Sequence, residues 1–183
     1  MEKMTQQTSV EITTPPLRLP NATSTAEDVL NKAMEFCARK MGLENSQAAI
    51  NSLKQGDRRA CEYCLYSIAE QVGAALGALD ENIKVVYMFE YDATPEDLCF
   101  NEKPGAPLVH LLVWTRRKTE ALKSLVSMLD RALAQSYARL IGPRQLQHLL
   151  DVQVIDDADV AQRVGYAALL NSLHYRPLKV WEH

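Results

Sequence analysis

The sequence predicts an α/β fold: a small mixed sheet of three to four strands flanked by helices, with a helical extension at the N-terminal side. Two observations carry this. Three apolar runs read as buried strands: Val85-Val86-Tyr87-Met88-Phe89-Glu90-Tyr91, Leu108-Val109-His110-Leu111-Leu112-Val113 and Leu150-Asp151-Val152-Gln153-Val154-Ile155. Apolar residues at steps of three and four surround them, giving the order helix-helix-helix-strand-strand-helix-strand-helix.

The elements follow from local signals. Residues 1–23 form a polar arm with Pro15, Pro16 and Pro20, whose composition also fits disorder. Ser24 with Glu27 three residues later fits a capping box that opens the first helix, and Gly42 closes it. A second, shorter helix is expected over 45–55, before Gly56. Asp57 is a good N-cap for a third helix over 58–79, with Cys61, Cys64, Leu65, Ile68, Val72 and Leu76 on its buried face. Gly73 and Gly77 either weaken the end of that helix or let a neighbour pack closely.

The period then changes to that of a strand over 83–91. Pro95, Pro104, Gly105 and Pro107 make 92–107 a loop. A second strand covers 108–114, an amphipathic helix covers 119–140 until Gly142-Pro143, and a third strand covers 149–155. Asp156-Asp157-Ala158-Asp159 caps a helix running to about 173, and 178–181 fits a short terminal strand. The chain thus divides into the arm at 1–23, the helical extension at 24–56 and an α/β domain at 57–183.

Composition narrows the function classes. With 47% hydrophobic residues among 183, there is ample material for a core. A net charge of -3 and a pI near 5.8 speak against a nucleic-acid binder, which usually carries a basic stripe. No apolar run approaches the about 20 residues that span a bilayer, and the first residues lack the apolar segment of a signal peptide. Cys37, Cys61, Cys64 and Cys99 are scattered as reduced thiols would be, so the expected location is the cytoplasm, with no membrane partner.

The region 58–181 resembles the small nucleotidyltransferase domains of the polymerase-beta type. Tyr87-Met88-Phe89 stands where that family has the strand ending in Phe-Gly-Ser. Leu111-Leu112-Val113 matches the run after its Asp-x-Asp, Asp151-Val152-Gln153-Val154 its third strand, and Gly165-Tyr166 its last helix. The resemblance implies a nucleotide or other small molecule as ligand. It also marks what has been lost. The family's chemistry needs two carboxylates one residue apart on a strand, so that both hold Mg²⁺ against a triphosphate. Here Leu108-Val109-His110 occupies that position, Glu90-Tyr91 replaces the Gly-Ser turn, and Asp151 alone keeps a carboxylate in place.

The candidate pocket is therefore Glu90, Asp92, Asp97, His110 and Asp151, with no catalytic or metal-ligating residue assigned. Against it stand plainer readings: a histidine in an apolar strand is more often a hydrogen-bonded core residue, and an acidic loop is usually solvated surface. Glu96 joins the same acidic cluster, which sits where α/β proteins commonly place their sites. Cys61-Glu62-Tyr63-Cys64 has the spacing of a redox or zinc motif, but no second pair accompanies it, and buried inert thiols explain it better. Neither His148 nor His174 has a metal-ligand partner at a recognised spacing, and the G-x-S-x-G, G-x-G-x-x-G and P-loop patterns are missing.

The expected function is a catalytically degenerate nucleotidyltransferase-like binding or assembly module, a pseudoenzyme with no cofactor. Self-association as a homodimer follows from the frequency of two-fold dimers. The alternative is a metal-dependent nucleotidyltransferase, or another enzyme, whose acidic site is rebuilt from Glu90, Asp92, Asp97 and Asp151. Mg²⁺ belongs to that alternative alone.

Overall fold

The computed structural model describes residues 21–89, 108–142, 146–172 and 177–183. Within them the chain runs α1 (Ala22–Met41), α2 (Ser46–Lys54), α3 (Arg58–Leu79), β1 (Ile83–Phe89), β2 (Val109–Thr115), α4 (Glu120–Ile141), β3 (Leu150–Asp156), α5 (Asp157–Gln162), a 3-10 helix (Gly165–Asn171) and β4 (Leu178–Glu182). This is an α/β architecture with a mixed sheet of four strands, preceded by helices. No helix among the described residues is long and apolar enough to cross a membrane.

Side-chain caps set the helix starts. Asn45 accepts from the backbone N–H of Ala48, Asp57 from that of Ala60 and Thr119 from that of Leu122. The first helix starts earlier than the sequence predicts. Asn21 is the cap, its Oδ1 accepting from Ser24 N at 3.1 Å, so Ser24 lies inside the first turn. Asparagine caps as well as serine, and choosing it adds helical residues ahead of Ser24. At the other end Gly42 takes φ 68, a conformation free of a Cβ penalty, and Leu43 N returns to Ala38 O at 2.9 Å.

The strands lie in the order β3-β2-β1-β4. β2 and β3 are parallel with α4 as the crossover, whereas β1 runs antiparallel to both β2 and β4. One face carries Val86, Met88, Val109, Leu111, Val113 and Leu150 into the main core, against Ile68 and Leu76 of α3 and Leu122, Leu125, Leu129 and Leu133 of α4. The helices α1 and α2 join that same core through residues such as Met34, Cys37, Ile50 and Leu53. The opposite face is covered less fully. There Leu112 and Ile155 pack with Ala167 of the 3-10 helix, and Tyr87, Phe89, Trp114, Val160 and Leu170 surround them.

Gly73 and Gly77 serve close packing. A Cβ on Gly73 would stand 2.7 Å from Trp181 Cβ, and one on Gly77 would stand 2.2 Å from two atoms of the Trp181 ring. The two glycines, one helical turn apart, thus form a notch in α3 that seats the indole of β4.

The final helix expected to about 173 is broken in two. Arg163 at φ 55 ends α5, and Gly165 at φ 54 starts a new direction. The break turns Ala167 and Leu170 toward the sheet, burial that a straight continuation would forgo.

At the Thr115 end of the sheet a small polar network ties α5 to β1 and β2. Asp157 Oδ1 accepts from Lys84 Nζ and from Trp114 Nε1, each at 2.8 Å, and Lys84 Nζ lies 4.7 Å from the Trp114 ring centroid. Those bonds, that to Lys84 first, hold the Asp157 carboxyl below the usual carboxylate range. A lowered folded-state pKa contributes stability that is complete above the unfolded pKa and disappears as pH falls through the folded one. The Trp114 indole N–H resonance is therefore expected to titrate below the ordinary aspartate range, with Asp157→Asn abolishing the transition. An indole signal that titrates unchanged in that variant would show that Asp157 is not the group responsible.

Candidate functional site

The parallel register of β2 and β3 sets His110 beside Asp151, and the antiparallel register of β1 and β2 sets Phe89 on the other side of His110. Alternation along β2 sends Val109 and Leu111 into the main core, which leaves His110 on the less covered face with Leu112 and Trp114. On that face His110 Nδ1 and Asp151 Oδ2 are 3.1 Å apart, and Gln153 Nε2 donates to Asp151 Oδ1 at 2.9 Å. With the carboxylate ionised, Nδ1 carries the imidazole proton and donates it to Asp151. The two side chains are 27% and 33% exposed, enough to be reached by a small molecule while still shielded. Phe89 and Tyr87 extend the face along β1, where burial pushes the Tyr87 phenol up from its ordinary value.

This arrangement can orient a polar ligand group through an imidazole backed by a carboxylate, next to aromatic surface. It does not make a magnesium site. Mg²⁺ takes several oxygen ligands in strict octahedral order, and His110, Asp151 and Gln153 offer it one carboxylate and one amide oxygen. Among the described residues no group of three or more His, Cys, Asp or Glu is placed to hold a metal ion. Of the sequence candidates, the structure brings His110 and Asp151 together. Glu90, Asp92 and Asp97, with Glu96, lie outside the described residues. So do residues 1–20 of the arm expected over 1–23, whose last three residues are instead the cap and start of α1.

No family model matches the chain, and comparison with curated proteins and with solved structures finds no match either.

The cysteines need one correction. Cys37 and Cys64 are buried free thiols, but Cys61 is disulfide-bonded. The inert-thiol expectation thus holds for Cys64 and fails for Cys61, so the cysteine pattern no longer argues for a reducing compartment. Burial first, then the nearby Asp57 charge, pushes the Cys37 thiol up to about 11, and burial first, then Cys37, also raises Cys64. Both are poor nucleophiles at neutral pH.

Sequence reasoning missed two features. Gln153 shares a strand face with Asp151, which alternation could have shown. His148 pairs with Asp130 of α4 at 2.6 Å, a contact across a helix-to-strand connection that no spacing rule signals.

Proposed function

We propose that this chain is a catalytically degenerate nucleotidyltransferase-like binding or assembly module. Its ligand, a nucleotide or similar small molecule, meets the sheet face that bears His110, Asp151 and Gln153. The observation that supports this reading most is the engagement of Asp151. The single carboxylate retained where the resemblance puts the metal ligands spends both oxygens on His110 and Gln153. A carboxylate held in this way positions an imidazole, and by itself it supplies too few oxygens for Mg²⁺.

Calorimetric titration with nucleoside triphosphates, with and without Mg²⁺ or Mn²⁺, tests the proposal. Binding is expected without added metal and should weaken roughly tenfold in His110→Ala, as befits loss of one hydrogen bond. Binding that requires the metal and is followed by release of pyrophosphate would favour the rebuilt acidic enzyme. No heat with any nucleotide would remove nucleotides from the proposal and leave self-association. Sedimentation velocity then decides whether the chain forms a two-fold dimer.

A further inference from the structure

A second polar cluster lies on the other face of the sheet, built around Asp130. This aspartate is 5% exposed in the middle of α4, a position in which an unpaired carboxylate would be costly. It is fully engaged: Oδ1 accepts from the backbone N–H groups of Leu149 and Leu150, each at 2.8 Å, and Oδ2 faces His148 Nδ1 at 2.6 Å. With that carboxylate ionised, Nδ1 carries the proton that bonds to it. His148 itself is 58% exposed, and its Nε2 has no partner among the described residues.

The ring borders a groove of about 240 Å³ between α4 and β3. Val126 of α4 and Val152 and Val154 of β3 give it apolar walls, and Lys123 stands at its rim. β3 is an edge strand of the described sheet, so the valines on its helix-facing side are covered by α4 from one side only. Lys123 Nζ bonds to Glu120 Oε1 at 2.6 Å, but both side chains are largely exposed. Such a pair is worth little and yields readily to a competing anion. The groove thus joins an apolar body to a positive end with an oriented imidazole. Its volume sits just under the about 300–1,000 Å³ typical of small-molecule pockets.

We propose that this groove binds a small amphiphilic acid, its hydrocarbon body on Val126, Val152 and Val154 and its carboxylate on His148 and Lys123. Asp130 is a positioning residue in this scheme: it holds the ring so that Nε2 points its bond at the ligand. When the ring is protonated, Nε2–H donates to the ligand carboxylate while Asp130 balances the imidazolium from behind. The site is independent of His110 and Asp151, which lie on the opposite sheet face.

Sodium octanoate, titrated into the isotope-labelled full chain, is the probe. Saturable shifts are expected at the His148 ring and at the Val152 and Val154 methyl groups. Octanol, with the same body and no charge, should bind roughly tenfold more weakly. His148→Gln and Lys123→Ala, both surface changes, should each weaken octanoate several-fold, while His110→Ala should leave it unchanged. Non-saturating shifts, shifts centred away from the groove, equal binding of octanol, or affinity retained in both groove variants would each overturn the proposal. Loss of octanoate binding in His110→Ala would do the same. Since octanoate is not a nucleotide, failure here leaves the proposed nucleotide site untouched.

Discussion

Gly77→Ala is expected to destabilise the protein by about 3 kcal/mol or more, near or beyond the upper end of ordinary overpacking. The new Cβ would stand 2.2 Å from Cη2 and Cζ2 of Trp181, closer than packed atoms can approach. The indole has little freedom to withdraw. Its strand is paired to β1, with Trp181 opposite Val86, and His183 N bonds to Lys84 O at 3.0 Å. Alanine in a helix interior is otherwise better than glycine by about 0.8–1.0 kcal/mol. The sign of the effect therefore depends on the indole. In a Trp181→Ala background the same Gly77→Ala change should stabilise by about 1 kcal/mol. Urea unfolding of the four proteins measures both legs of the cycle, and destabilisation of similar size in both backgrounds would refute the notch.

Asp130→Ala is expected to cost about 3–5 kcal/mol, the range for leaving buried polar groups without their charged partner. The substitution strands the N–H groups of Leu149 and Leu150, both buried at the start of β3, and releases His148. Asp130→Asn should be far milder. Its remaining oxygen can still accept from both backbone groups, and the loss should be about 1–2 kcal/mol. Equilibrium unfolding separates the two cases. Equal losses for alanine and asparagine would mean that the charge, and not the acceptor, holds the β3 entrance.

The elements legible in the sequence were those with a strong period or an unambiguous stop. The stripe of Leu122, Leu125, Leu129 and Leu133 announces α4, and Asp57 marks the start of α3 at Arg58. The three apolar runs became β1, β2 and β3 because buried strands need apolar residues on both faces. The break after Gln162 escaped notice for a physical reason. It depends on Arg163, a residue that seldom adopts a left-handed conformation, and its reward is tertiary burial of Ala167 and Leu170. The pairing of β4 with β1, and so the purpose of Gly73 and Gly77, was equally invisible, since glycine spacing does not say what approaches it.

At the candidate site the legible part was the pair His110 and Asp151, because adjacent strands bring residues near their matching ends together. Gln153 was within reach of the same alternation, but a neutral amide attracts no attention in a search for ligands and bases. The Asp130–His148 pair was not legible. A helix period records which face is apolar, and an aspartate on that face looks like an error until its strand arrives.

The position of β4 also bears on synthesis. β1 gains its second neighbour from a segment that begins at Leu178, 95 positions after Ile83. During translation the notch of α3 stays vacant, and one side of β1 stays unpaired, until that segment leaves the ribosome. The nascent chain therefore passes through an interval with an adhesive strand edge and an empty aromatic socket, the state in which a holding chaperone would matter most.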